Sequence, residues 1–215
     1  MQDSLAYWQP RLIDIITQSA DDDGAHDVNH LLRVWAVART LLAEHDEADA
    51  LVVLAACMLH DIVNLPKDHP ERAQASIYAA QQACERLQYA GFPAERLDAV
   101  AHAIEAHSFS ARIEPRTIEA KIVQDADRMD ALGAVGLARL FYIAGRMGTA
   151  LAHPDDPLAV SREPDDTRYA LDHIDIKLAT LPASMRTDAA RRMGQARLQW
   201  LRDFRATFVE QWNVA

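Results

Sequence analysis

Apolar residues recur along this chain at steps of three and four, and no stretch sustains the alternation of a half-buried strand. The pattern predicts helices throughout. Residues 4–19 form the first, with Leu5, Trp8, Leu12, Ile15 and Ile16 on one side, and the turn Asp21-Asp22-Asp23-Gly24 ends it. A second helix covers about 26–45. A third, about 48–63, is an almost unbroken apolar run that stops at His60-Asp61. Pro70 opens a fourth, to about 89, and a fifth covers 93–107. Thr117 caps a sixth, with Glu119 in its first turn, and a seventh spans about 133–147. Residues 148–166, with Pro154, Pro157 and Pro164, read as a long loop or lid. Two helices close the chain, about 167–180 and 184–210, the second capped by Ser184.

Composition narrows the class. With 215 residues, half of them hydrophobic, the chain can bury a sizeable core in one domain carrying a helical extension. Lys and Arg total 22 against 32 Asp and Glu, a net charge of -10. That argues against a surface for nucleic-acid polymers or anionic membranes, and leaves room for a local basic pocket holding one small phosphorylated molecule. Cys57 and Cys84 lie in Ala-rich helical patterns, as buried thiols in a reducing compartment do. The start, Met1-Gln2-Asp3-Ser4-Leu5, lacks the regions of a signal peptide, and no run approaches the ~18 apolar residues of a membrane span. The expectation is a soluble, cytoplasmic protein.

The chemistry begins at His60-Asp61. Two polar groups at the end of a buried helical face are costly without a partner. A metal ion would satisfy both; so would a hydrogen-bonded core histidine beside a surface aspartate. Three other segments place similar groups among core-spaced apolar residues: His26 and His30, one turn apart; His102 and His107; and Asp125, Asp127 and Asp130. His and carboxylate ligands suit Fe, Mn, Zn, Ni or Mg. Spacing alone leaves a shared metal site and separately satisfied side chains both open.

The series His30…Arg33-Val34, His60-Asp61 and Ala126-Asp127-Arg128-Met129 resembles the H…HD…D signature of the HD superfamily of metal-dependent phosphohydrolases, over roughly residues 20–150. The stretches from His60 to Pro70, His107-Ser108-Phe109-Ser110 and Gln124 to Gly133 resemble a group of bacterial HD hydrolases of the YedJ type. His173 to Leu178 and Met185-Arg186-Thr187 extend that likeness into the last helices. The resemblance implies an all-α, HD-domain helical bundle with additional C-terminal helices: one domain over 1–215, its core at about 20–150 and its extension at about 167–210. It implies His30, His60, Asp61 and Asp127 as ligands of a divalent ion (Mn, Fe, Mg, Zn, Ni or Co, one or two per chain), and His107 as a ligand of a second ion, a side chain that supports the ligands, or a substrate contact. The implied activity is hydrolysis of a phosphomonoester or phosphodiester of a small metabolite, such as a nucleotide, by metal-activated water.

Further roles are expected by position. Asp61 and Lys67 are assigned to catalysis; His26, Arg33, Lys67, Arg128 and Arg139 to the substrate phosphate, with a capping or surface histidine still open for His26 and a helix-surface salt bridge still open for Arg33 and Arg139. Asp130 lies nearer than Asp125 to the face of Asp127. His102 is expected to be structural, and His45, His69 and His153 to face solvent. Members that hydrolyse alarmones place acidic residues where this chain has Asn64 and Leu65, and the Gly-Tyr-Pro segment of cyclic-di-GMP phosphodiesterases is missing. The alternatives are a di-iron HD protein, hydrolytic or oxidative, and a ligand-binding HD module without turnover. The expected partner is a small phosphorylated substrate, with neither nucleic-acid polymer nor membrane; a homodimer is admitted.

Overall fold

The computed structural model describes residues 4–19, 28–63, 65 and 69–212. The chain forms two compact units, Met1–Asp127 and Arg128–Ala215, and the boundary falls inside the stretch expected as the core. Among the described residues there is no β-strand, only a bridge between Ala150 and Tyr169, and no helix is long and apolar enough to cross a membrane.

The first unit contains α1 (Leu5–Ser19), α2 (Val28–Leu42), α3 (Ala50–Leu59), α4 (Ala75–Tyr89), α5 (Leu97–His107) and most of α6 (Ile118–Met129). Residues 51–59 are apolar at every position, and a helix apolar all round must be wrapped by others. Each of them is buried, with α1, α2 and α5 packed around α3. From α1, Trp8, Leu12 and Ile16 enter this core, and Phe92 meets Trp8 edge to face at 4.9 Å. The third helix ends at Leu59 rather than at 63, so His60 is its C-cap. The fourth begins at Ala75, after a 3-10 turn over Arg72–Gln74, rather than at Pro70.

Asp49 ties three elements at one end of this unit. Its carboxylate accepts from the amides of Leu51 (2.9 Å) and Val52 (3.4 Å), capping α3. Arg96, the residue before α5, donates to it at 2.6 Å, and the Asp49 amide donates to Glu119 of α6 at 3.0 Å. Thr117 caps α6 as expected, accepting from the Ala120 amide at 3.2 Å. His102 is structural, as expected: its Nε2 accepts from the Arg116 amide at 3.0 Å and fastens the α5–α6 connection.

The second unit contains α7 (Gly133–Met147), α8 (Asp172–Ile176), α9 (Leu181–Ser184) and α10 (Asp188–Trp212). Gly136 permits the tight start of α7, since a Cβ there would lie 2.2 Å from the Ala131 carbonyl oxygen. Phe141 of α7 packs on Phe204 and Phe208 of α10. Ser184 does not cap the last helix; it closes α9, and Thr187 is the cap, its hydroxyl accepting from the Ala190 amide at 3.3 Å. The helix expected at 167–180 is broken up. The amides of Ala170 and Leu171 donate to the carbonyls of Ala150 and Leu151, so its first part forms turns bridged at Tyr169 rather than a helix, and Lys177 at φ -119° ends α8. The preceding loop is fastened from within: buried Asp172 accepts from Arg162 at 2.6 and 2.8 Å and from the Asp165 amide at 2.8 Å.

The Asp49 cap can be tested directly. Asp49→Ala should lower stability by about 1–2 kcal/mol, or roughly 2–8 °C in Tm. Asp49→Asn keeps the cap, loses only the ion pair with Arg96, and should recover most of it. Equal losses in calorimetry would contradict the capping role.

Candidate metal centre

Two helices of the first unit end on histidine. His60 follows the last residue of α3, and His107 is the last residue of α5. Carbonyls in a last turn lack intrahelical donors, and each imidazole takes the one three residues before it. His60 Nδ1 lies 2.9 Å from the Cys57 oxygen and His107 Nδ1 lies 2.6 Å from the Ile104 oxygen. A carbonyl can only accept, so both Nδ1 atoms carry the proton and each Nε2 presents its lone pair on the opposite side. Such backbone-fixed tautomers are what metal-ligating histidines use.

The Nε2 atoms meet the carboxylates. His30, on the first turn of α2, has Nε2 3.4 Å from His60 Nε2, 3.4 Å from Asp127 Oδ1 and 3.8 Å from Asp61 Oδ2. His60 Nε2 lies 3.6 Å from Asp61 Oδ2 and 3.7 Å from Asp127 Oδ1. His107 Nε2 lies 3.8 Å from Asp61 Oδ1. Two donors each ~2.1 Å from one ion are about 3.4 Å apart at the tetrahedral angle, whereas direct hydrogen bonds would draw such atoms to about 2.7–3.0 Å. The spacing fits an ion between the donors. Two groups could hold one: His30, His60 and Asp127; and His60, Asp61 and His107. Mixed imidazole and carboxylate donors suit Mn, Fe, Co, Ni or Zn better than the all-oxygen preference of Mg. The histidines form the closed side, while Asp61 and Asp127 keep 43% and 28% side-chain exposure, so the carboxylate side is open to a reactant.

Electrostatics agree with a cation trap. Burial pushes the Asp127 carboxyl up, but its close contacts with His30 and His60 and the positive charge of a protonated His60 outweigh it and hold the group well below its usual range. Burial likewise opposes a charged His60, yet the negative charges of Asp61 and Asp127 beside it raise its pKa. His107 is lowered, by burial and by the charge of His60. A proton on His60 Nε2 therefore occupies the place an ion would take.

Other expected residues lie elsewhere. Neither metal-holding group includes His102, Asp125 or Asp130 among the described residues. Asp130 accepts from Arg139 at 2.6 Å, and Arg128 donates to the Ser184 carbonyl at 3.0 Å, both within the second unit. Arg33 is half-buried on α2, one turn beyond His30. His26 and Lys67 lie outside the described residues. His45, His69 and His153 are half-buried rather than turned to solvent: His45 pairs with Glu47, and the other two accept backbone amides. What the sequence reading missed is the pair of carbonyls behind His60 and His107. The available signal was a histidine at each helix end.

A helical unit with two histidines at helix ends, a third from a neighbouring helix and two aspartates at one point defines a class. The chain matches the HD domain over residues 27–132 and belongs to the HD-domain family. It is 34% identical over 188 residues to the uncharacterised protein YpgQ of Bacillus subtilis (strain 168), covering 86% of this chain and 83% of that one. Its fold is similar to an HD-superfamily hydrolase from Bacillus thuringiensis (TM-score 0.72, 29% identity, 96% of this chain and 99% of that one). It is similar also to Bacillus subtilis YpgQ in complex with ADP (TM-score 0.70, 28% identity, 98% and 97%).

Two measurements follow. Elemental analysis should find metal in the wild type and none in Asp61→Ala; about two ions falling to one in His107→Ala identifies a two-ion centre. Metal retained in full by Asp61→Ala would overturn the donor set. With its pKa raised, His60 gains a proton as pH falls through and somewhat above its ordinary value of ~6.5, so ion binding should release protons and weaken over that range. Calorimetric titration at pH 8, 7 and 6 checks the sign.

Proposed function

We propose that this chain is a metal-dependent phosphohydrolase acting on a small phosphorylated metabolite, with nucleoside phosphates as the favoured class. The observation that carries the reading is the donor cluster, closed by histidines on one side and open at two carboxylates on the other. An ion bound there supplies Lewis-acid polarisation of a phosphoryl oxygen and a lowered pKa for a bound water. His30, His60, Asp61 and Asp127 hold it. Asp61, the most exposed of them, has an oxygen left to orient the attacking water and receive its proton. Arg33, with His26 and Lys67, neutralises the phosphate oxygens. Arg128 and Arg139 we assign to the contacts they make with Ser184 and Asp130. The ADP complex of the YpgQ relative supports a nucleotide as the substrate class. The YedJ-type likeness supports the same reaction class.

One observation favours a two-ion variant. Asp61 turns Oδ2 towards His30 and His60 and Oδ1 towards His107, as a carboxylate bridging two ions would.

The test is turnover of ADP, ATP, nucleoside monophosphates and simple phosphate esters with Mn, Co, Ni, Zn or Mg, with products separated by chromatography. Hydrolysis should need metal, stop with chelator and fall to background in Asp127→Asn. Arg33→Ala should raise KM about tenfold with a smaller change in kcat, the sign of lost substrate binding. A protein that binds stoichiometric metal and nucleotide yet turns over none of these substrates is a binding module, and the proposal fails.

A further inference from the structure

Helix α5 carries its ligand on its last residue, so the direction of His107 depends on how the final turn is held. That turn has no backbone seal. Ser108 leaves in extended conformation (φ -71°, ψ 129°), without the left-handed residue that would return amides to the last carbonyls. Three consecutive carbonyls are met by side chains instead. Ile104 O accepts from His107 itself at 2.6 Å. Glu105 O accepts from the Ser76 hydroxyl of α4 at 3.0 Å, and Ala106 O from Gln124 Nε2 of α6 at 2.6 Å.

Both outside donors are buried, Ser76 at 3% and Gln124 at 2% exposure. Removing either leaves a buried carbonyl unpaired, which only a shift of the turn can relieve. The two bonds act on the peptides directly before His107, so such a shift rotates its ring. Gln124 is also three residues before Asp127, on the same face of α6. One side chain thus sets the spacing between the helix that bears Asp127 and the helix that bears His107.

We infer that Ser76 and Gln124 are positioning residues of the metal centre: their hydrogen bonds to Glu105 O and Ala106 O aim His107 Nε2 at Asp61. The inference rests on the reading of the cluster as a metal centre. It adds two residues that touch neither ion nor substrate.

The experiment is cobalt titration of the metal-free protein, followed by calorimetry and by the visible absorption of the bound ion, with Tm and far-ultraviolet circular dichroism measured alongside. Wild type, His107→Ala, Gln124→Leu, Ser76→Ala and Ser76→Thr are compared. Ser76→Ala and Gln124→Leu should weaken, about 10–100-fold in Kd, the binding step that His107→Ala weakens, and should alter the cobalt band while helix content is kept. Ser76→Thr restores the hydroxyl and should return Kd to within about twofold of wild type, since the bond to the carbonyl is remade. Should Gln124→Leu fail to fold, the Ser76 pair decides alone. A lowered Tm with unchanged Kd and unchanged band overturns the inference, because the bonds would then be structural only. Cobalt binding that His107→Ala leaves unchanged also overturns it, while the proposed function stands. A wild type that takes up no cobalt defeats the reading of the centre and the inference with it.

Discussion

Three helix C-terminal ends meet at one point in the first unit, and the arrangement of the unit follows from that meeting. Each end carries partial negative charge from carbonyls without amide partners, and Asp61 and Asp127 add two full charges beside them. His60 and His107 reduce the deficit by donating Nδ1–H to two of the carbonyls. The same act turns their acceptor nitrogens inward, so the remaining potential calls for a cation. A proton on His60 answers it in part; a divalent ion in either three-donor group would answer it further.

Such convergence requires helices that start together as well as end together. Asp49 and Arg96 join the starts of α3 and α5, and Glu119 brings in the start of α6. The three helices have 10, 11 and 12 residues, or about 15–18 Å at 1.5 Å per residue. Launched from a common level in a common direction, they finish at a common level. The Asp49 network and the donor cluster are two ends of one construction.

The sequence showed what periodicity and local chemistry can show. The helical class, the abrupt end of the apolar run at His60-Asp61 and the Thr117 cap were readable because each depends on neighbours within a few positions. The likeness to the HD family supplied the grouping of His30, His60, Asp61 and Asp127, which spacing left open. Partners remote in sequence were hidden. Arg128 and Arg139 have the charge of phosphate contacts, and only folding reveals that Ser184 and Asp130 engage them. Ser76 and Gln124 read as ordinary polar residues of amphipathic helices until the carbonyls they meet are seen. The 167–180 stretch has helical composition, yet pairing with Ala150 and Leu151, some twenty residues earlier, overrides its preference.

Because α3 is buried on every side, His60 and Asp61 hang from a rod whose axial position is decided by the hydrophobic packing of Leu51 to Leu59 against its neighbours. Core and centre are then mechanically one object. A methyl group gained or lost at Val53 or Leu54, well inside the protein, would be felt as a displacement of His60 and Asp61 rather than only as a change in stability. The interior of this fold in that sense sets the geometry of the donor cluster, and substitutions tolerated by folding would still shift its atoms.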